Sequence, residues 1–382
     1  MRVAVLWLGR VSQDTAGRTY LREILGPLGD QPGLEVDVHV GDPDFDVPKS
    51  CRRVLHRVPS GLGFAGRVLT EPFVALRLLR QRYDVLLAPF NNVPPTWTGP
   101  SVVVQHNVLA FGDQLRHDVT GLRLRSLYWP LALRLSLRRA SLVLTVSAYL
   151  AKLLTDRFGL DPARVRVVPY GVSPQLEGGE GKYRDAGPTI LVVSALRPYK
   201  RVDEAVVAFA EATRGDEGTL LIAGPATAEE RAPLEALATT LGVGARLRFL
   251  GNVPHERLGD VYASADVLLY LSEIESFGLP VIEAMRAGVP VIARRIPGIL
   301  EVAGDAPLWI HEHEGGVEAA VHLRRLLSDD ALRAERVRAG RAQAAKYTWE
   351  RAAELTADAL RAASSPTAPV VQEPKMRSDF GR

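Results

Sequence analysis

Asp266-Val267-Leu268-Leu269-Tyr270-Leu271-Ser272-Glu273-Ile274-Glu275-Ser276-Phe277-Gly278-Leu279-Pro280-Val281-Ile282-Glu283-Ala284-Met285 passes through three kinds of local structure. The apolar run over 266–271 reads as a buried strand and the segment around Gly278 as a loop. Pro280 marks a helix start, because the first helical position loses nothing by lacking an N–H. A strand that passes through a glycine-containing loop into a helix is the building unit of a parallel α/β sheet. The helix start offers unpaired amides and the positive end of a peptide dipole, so the backbone at Phe277, Gly278 and Leu279 is predicted to hold an anion, a diphosphate in particular. Glu275 falls in the loop and Glu283 on the first turns of the helix. Carboxylates there suit a neutral, hydroxyl-rich ligand, whose O–H groups donate charge-assisted hydrogen bonds to them. Either glutamate alone reads equally as a solvated acid at a helix start; the loop between them favours a ligand.

The same unit recurs on both sides of this stretch. Apolar runs at 189–196, 219–223, 246–250 and 290–293 alternate with helical patterns such as 202–213 and 228–241. Towards the N-terminus, runs at 1–7, 85–88, 101–104 and 141–146 repeat the pattern. With 382 residues, 47% of them hydrophobic, the chain is long enough for two cores, since single cores seldom outgrow roughly 250 residues. The division expected is one α/β domain over 1–172, a Gly-, Pro- and charge-rich linker over 173–188, and a second domain over 189–348. A last helix follows over 349–363, then a disordered tail over 364–382 with three prolines and little apolar content.

Composition narrows the setting. The single cysteine, Cys51, excludes an intramolecular disulfide, and the opening apolar run, broken at Arg10, is too short for a secretory signal. No stretch reaches the roughly 18 uncharged apolar residues of a spanning helix. A cytoplasmic location is therefore expected. The net charge of +3 is unevenly spread. Residues 52–82 hold seven arginines against one glutamate, and residues 113–139 six arginines against two aspartates, with Tyr128 and Trp129 among them. Such a bias is either a set of arginines lying over apolar surface or a basic face for phosphate or anionic lipid on the inner face of the plasma membrane.

A second cluster, Val192-Val193-Ser194-Ala195-Leu196-Arg197-Pro198-Tyr199-Lys200-Arg201-Val202-Asp203, closes one strand and opens a helix. Arg197 and Lys200 stand three apart at that turn, where cations neutralise the charge of a departing diphosphate; seen alone they are equally an exposed basic helix start.

Glu275 and Glu283, seven residues apart within Glu-Ser-Phe-Gly-Leu-Pro-Val-Ile-Glu-Ala-Met, resemble the E-x7-E motif of glycosyltransferase family 4. The resemblance implies the GT-B fold, two Rossmann-like domains facing each other across a cleft, with the last helix crossing back to the first domain. It implies that Glu275 faces the donor sugar, that Glu283 holds ribose hydroxyls, and that Gly278 and Leu279 present amides to phosphate and sugar. The 192–203 cluster is similar to the family's Gly-Arg-Leu-x-x-x-Lys turn. Lys200 carries over directly and Ser194 stands at the glycine. Ala195 takes the arginine's place, so Arg197, two residues on, is the expected substitute. Gly17, in Thr15-Ala16-Gly17-Arg18-Thr19-Tyr20, resembles the second glycine of a Gly-Gly loop near the donor phosphates, although a single glycine there also reads as a plain turn. His106, just after the strand at 101–104, matches a family histidine at the reaction centre, and ligands meet open α/β sheets at that edge. Phe249-Leu250-Gly251-Asn252-Val253 is similar to the segment that meets the base, which places Asn252 and Val253 at the nucleotide.

Two motifs mislead. Asp42-Pro43-Asp44 and Asp44-Phe45-Asp46 imitate a metal-binding Asp-x-Asp but lack a nucleotide-binding context. The two glutamates also imitate a glycosidase pair, which the strand-loop-helix setting and Lys200 disfavour. The expectation is a retaining transferase that moves a sugar from a nucleotide-diphosphate-sugar to a glycan or lipid-linked acceptor in polysaccharide or glycolipid assembly. Neither cofactor nor metal is expected, the nucleotide-sugar being a substrate, and nucleic acid is not a partner. The alternatives are a catalytically silent binding subunit and a sugar-nucleotide epimerase.

Overall fold

The computed structural model describes residues 1–8, 16–58, 63–90, 92–107, 123–214, 217–311 and 315–365. Two wholly parallel sheets organise them. The first has the order β3-β2-β1-β4-β5-β6-β7, from β1 (Arg2–Trp7), β2 (Glu35–Val40), β3 (Arg52–Leu55), β4 (Val85–Ala88), β5 (Ser101–Gln105), β6 (Leu142–Thr145) and β7 (Val165–Val167). The second has the order β10-β9-β8-β11-β12-β13, from β8 (Thr189–Val193), β9 (Thr219–Ala223), β10 (Leu247–Gly251), β11 (Val267–Tyr270), β12 (Val291–Arg294) and β13 (Leu308–Ile310). Strand order reverses between β1 and β4 and again between β8 and β11. Loops leaving neighbouring strands at such a reversal part to opposite faces and open a crevice beyond the C-terminal edge.

The sequence builds these sheets by uninterrupted apolar runs. Every residue of β4, β6, β9, β11 and β12 is buried, as expected where helices cover both faces. Four strands were not anticipated: β2, whose apolar residues alternate with Asp37 and His39, and three with too weak a pattern. β3, Arg-Arg-Val-Leu, is a mostly exposed edge strand held to β2 by the Arg52 guanidinium on Asp37, with Nε donating to Oδ1 at 2.8 Å. β7 and β13 have three residues each. The helix Ala228–Thr240 starts on a reciprocal cap, in which Thr227 Oγ1 accepts from the Glu230 amide and the Glu230 carboxylate accepts from the Thr227 amide.

Residues 173–188 do not swing freely between the domains. The 3-10 turn Pro174–Gly178 buries Leu176. Glu177 pairs with Arg286 at 2.8 Å, and the amides of Glu180 and Tyr183 donate to Asp260 Oδ1 and Ser264 Oγ at 2.9 and 3.0 Å. A segment whose backbone finds partners on one domain is part of that domain. The helix Trp349–Ser364 packs on the helix Ala16–Gly29 and on β4 to β6, and Arg361 donates to the Pro32 carbonyl at 3.0 Å. The chain thus passes between the domains twice, and the passes touch: Val172 N donates to the Tyr347 carbonyl at 3.2 Å, and a Cβ on Gly171 would lie 2.2 Å from Trp349 N. The expected tail lies outside the described residues from position 366 onwards.

Candidate functional site

The C-terminal edges of the two sheets face each other across a cavity of about 280 Å³. Of the residues singled out above, His106 reaches it from the first domain, and Ser194, Lys200, Asn252, Val253, Glu275, Phe277, Gly278, Leu279 and Glu283 from the second.

The helix Leu279–Ala287 begins on Gly278, which takes a left-handed conformation with φ of +84°. A Cβ there would also meet Ile299 Cδ1 at 2.2 Å, so both conformation and space require glycine. With Pro280 lacking an N–H and Val281 N bonded back to the Gly278 carbonyl at 2.9 Å, the Gly278 and Leu279 amides are the donors left at this helix start. Phe277 borders the cavity, but its ring packs edge-on against Tyr170 and Tyr347, with centroids 5.0 and 5.7 Å away.

Lys200 and Glu275 form an ion pair in the cavity wall, each with about 15% of its side chain exposed (16% and 14%). Tyr270 O–H donates to Glu275 Oε1 at 2.7 Å. Burial and the neighbouring Glu275 push the Tyr270 phenol up, which keeps it a donor. The Lys200 turn is stitched to the Glu275 loop. Glu273 N donates to the Tyr199 carbonyl at 2.8 Å, Arg201 reaches Glu273 at 2.7 Å, and Glu204 ties Arg201 to the buried Arg294, which donates to the Leu271 carbonyl at 2.9 Å. Glu283 is buried on the helix, accepts from Tyr262 O–H at 2.6 Å, and has its carboxyl pushed up by burial. The domains meet directly here. Ser276 Oγ donates to the His106 carbonyl and Ser147 Oγ to the Ser276 carbonyl, both at 2.6 Å, while Glu301 caps the amides of Ala148 and Tyr149 at 2.6 and 2.9 Å.

Three expectations are corrected. Arg197 does not line the cavity; its guanidinium pairs with Glu230 at 3.1 Å. Ala195, which does line it, therefore has no arginine substituted from that position. Gly17 sits at the start of a helix against Phe90, whose Cε1 lies 2.0 Å from where a Cβ would be, so it is a packing glycine, and Thr19 two residues on meets the cavity instead. The loop before it, 9–15, lies outside the described residues. His106 has no ring nitrogen to offer a ligand. Nε2–H donates to the Pro89 carbonyl at 2.5 Å and Nδ1 accepts from Tyr170 O–H at 2.6 Å, the tautomer following from the carbonyl being acceptor only. Of the arginines in 52–82 and 113–139, Arg52 is spent on Asp37 and Arg139 on the carbonyls of Pro95 and Trp97. The Asp42 carboxylate accepts from the Asp44 amide at 3.1 Å, and among the described residues no group of three His, Cys, Asp or Glu side chains is placed to hold a metal.

Residues that escaped the sequence reading include Tyr270 and Tyr262, which fix the two glutamates, and Gly224 and His255, which line the cavity. Gly224-Pro225 directly after the apolar run 219–223 was the available signal, a turn at the ligand edge of a parallel sheet. A Cβ on Gly224 would strike the Ser194 carbonyl at 2.0 Å.

Burial of His106 lowers its pKa from 6.5 to about 4. It is neutral when folded, whereas the unfolded chain takes up a proton below 6.5. Its contribution, about 3 kcal/mol for such a shift, is complete above pH 6.5 and lost as pH falls towards 4. Urea unfolding at pH 7 and pH 4.5 should give a smaller difference in His106→Gln than in the wild type, with His39, pushed down to about 3 by burial, common to both. Parallel pH profiles would refute the neutral assignment.

Comparison with known proteins extends over both halves. Residues 19–176 match the family model described as Glycosyltransferase Family 4, and residues 180–343 that described as Glycosyl transferases group 1. D-inositol 3-phosphate glycosyltransferase from Acidothermus cellulolyticus is 34% identical over 222 residues, 53% of this chain and 49% of that protein. The chain spans about half the length of such curated relatives. Sucrose-phosphate synthase from Thermosynechococcus elongatus superposes with a TM-score of 0.76 at 20% identity, covering 94% of this chain and 98% of that one. Anabaena HepE, in complex with UDP-glucose, superposes at 0.74 and 19%, covering 95% and 100%. The two facing parallel-sheet domains are those of the GT-B fold.

Proposed function

Because this chain belongs to glycosyltransferase family 4, we propose that it transfers a sugar from a nucleoside-diphosphate-sugar to a hydroxyl acceptor, with retention of anomeric configuration. The observation that carries the reading is one cavity holding a cation, two tethered carboxylates and a glycine-started helix. The amides of Gly278 and Leu279 and the Lys200 ammonium receive the diphosphate and stabilise the charge that grows as it leaves. Glu275, held by Tyr270, orients the sugar hydroxyls, and Glu283, held by Tyr262, takes the ribose. The bond from the anomeric carbon to the phosphate oxygen breaks while that to the acceptor oxygen forms on the same face. The acceptor's proton passes to the departing phosphate oxygen, so no protein nucleophile is required. His106 acts as a positioning residue that fixes the wall between Pro89 and Tyr170. A hexose donor and a glycan or lipid-linked acceptor are the substrates this reading favours, and UDP, with which the Anabaena neighbour has also been solved in complex, is the first nucleotide to test.

Calorimetric titration with UDP tests the ribose assignment. Glu283→Ala should weaken binding by roughly 10- to 100-fold, the loss of a hydrogen bond to a charged acceptor worth about 1.5–3 kcal/mol. Glu283→Gln, which still accepts from Tyr262, should lose part of that. Unchanged affinity in both would sink it. Ala195 in the cavity wall favours one second reading, a silent donor-binding subunit. Release of UDP from a UDP-sugar by the purified chain rules that reading out, and tight UDP binding without any release supports it.

A further inference from the structure

Among the described side chains, the helices Gly63–Arg80 and Arg123–Arg139 carry large apolar residues that stand in solvent. The first connects β3 to β4 and the second β5 to β6. Both crossovers run the same way along the sheet, so right-handed connections place the two helices on one face. Segment 92–97 lies between them: Asn92 bonds both Glu71 and Ser136, at 3.1 and 3.0 Å, and Thr96 donates to the Pro72 carbonyl at 2.7 Å. Val74, Ala75 and Leu78 of the first helix and Leu133 and Leu137 of the second are buried. The residues opposite them therefore point away from the sheet in a common direction.

Those residues are large and apolar. Phe73 is 72% and Leu131 69% exposed, and Leu69, Leu76 and Leu135 also stand in solvent. Arg77 and Arg80 share the face of the first helix, and Arg134 and Arg138 that of the second. Among the described side chains of the two helices the one acid, Glu71, is buried. Apolar residues accompanied, among the described side chains of these two helices, by exposed cations and no exposed acid fit an interface that is hydrocarbon at its centre and negatively charged at its rim. Another protein's surface would call for acids matched one by one.

We propose that this face docks the protein on an anionic lipid bilayer, with Leu69, Phe73, Leu76, Leu131 and Leu135 entering the acyl boundary and Arg77, Arg80, Arg134 and Arg138 meeting lipid phosphates. In a parallel sheet each such helix starts on the side of the C-terminal strand edges, the edge at which the cavity opens. The use of docking, access to a lipid-carried acceptor, rests on the transferase reading; the docking itself does not. No helix among the described residues is long and apolar enough to cross a membrane.

Flotation of the full chain with phosphatidylglycerol-containing and pure phosphatidylcholine vesicles, at low and high salt, tests the proposal, with UDP affinity measured on each variant as the check on folding. Binding is expected only with the anionic lipid and should fade as salt screens it. Arg77→Glu with Arg134→Glu should lower partitioning by roughly 10²-fold. Phe73→Ser with Leu135→Ser should lower it by roughly tenfold or more at unchanged charge, and UDP affinity should stay that of the wild type in both pairs. Equal recovery with neutral vesicles, no recovery with anionic ones, or insensitivity to both pairs overturns the docking face. If the apolar pair abolishes a concentration-dependent dimer instead, the face is a contact between copies. Failure of donor turnover with intact vesicle binding would count against the transferase reading alone.

Discussion

Lys200→Ala should lower kcat by roughly 10²-fold or more, the usual cost of removing a preorganised charge from a developing anion. Lys200 is the one Lys or Arg among the described residues that line the cavity, and two aromatic rings, Tyr199 and Tyr270, lie 5.3 and 5.7 Å from its ammonium. Lys200→Arg should recover only part of the rate, since the planar guanidinium does not occupy the space of a point charge beside Glu275. Arg197→Ala should leave turnover near the wild-type value, because that guanidinium is turned to Glu230. The substitution also leaves Glu275 without its ion-pair partner, so the measurement should separate the two effects. Nucleotide release at saturating donor reads the leaving-group term, and a parallel Glu275→Gln series reads the sugar-orienting one. Wild-type kcat in Lys200→Ala would remove the lysine from the mechanism, and loss of activity in Arg197→Ala would restore the arginine to it.

Gly298→Ala should cost a comparable factor without touching any ligand. Gly298 lies in the first turn of the helix Pro297–Ala303, and a Cβ on it would fall 2.2 Å from the carbonyl oxygen of Glu275 and 3.1 Å from the carbonyl carbon of Ser276. Both are backbone atoms, so the methyl group can be accommodated only by moving the loop that carries Glu275. That loop is fixed on its other side, through Ser276, to His106 and Ser147 of the first domain. A shift of about 1 Å in such a group typically costs 10²-fold in rate, and the overpacking costs about 1–3 kcal/mol of stability. Gly178→Ala, where a Cβ meets nothing within 4 Å, is the neutral control. The thermal midpoint and kcat should both fall in Gly298→Ala, and kcat should stay low well below the lowered midpoint. A variant that loses midpoint but keeps kcat would show that the loop has room to adjust.

The reading from sequence succeeded where local pattern and position coincide. Five of the six strands of the second domain announced themselves as apolar runs because both faces of that sheet are covered, β13 being too short to show, and the glutamates and Lys200 were visible because each stands a fixed step from a strand end. It was weaker where the determining fact is a distant partner. Arg197 and Lys200 occupy one turn and carry one charge each, yet Glu230 draws the first away while Glu275 holds the second. His106 was correctly assigned to the strand edge, but its two ring partners come from residues 89 and 170. Tyr262 and Tyr270 belong to runs that look like ordinary core. The segment 173–188 has the composition of a tether, and only its pairing with Asp260, Ser264 and Arg286 makes it part of the second domain. β3 was hidden by its two arginines, because an edge strand does not need apolar residues to pair.

The double passage of the chain at Gly171 and Trp349 restricts how the two halves can move. A single tether permits rotation about its own axis as freely as bending across it. Two backbones lying within a hydrogen bond of each other do not, because spinning one half against the other would wind them together. What remains inexpensive is a rocking in which both backbones flex at once at the same place, as in hinge closure generally. With torsion suppressed, the wall bearing His106 and the wall bearing Glu275 approach and separate along one arc. Each return along it restores the same alignment of the two walls, so register across the gap is kept by connectivity even when the contacts there are broken.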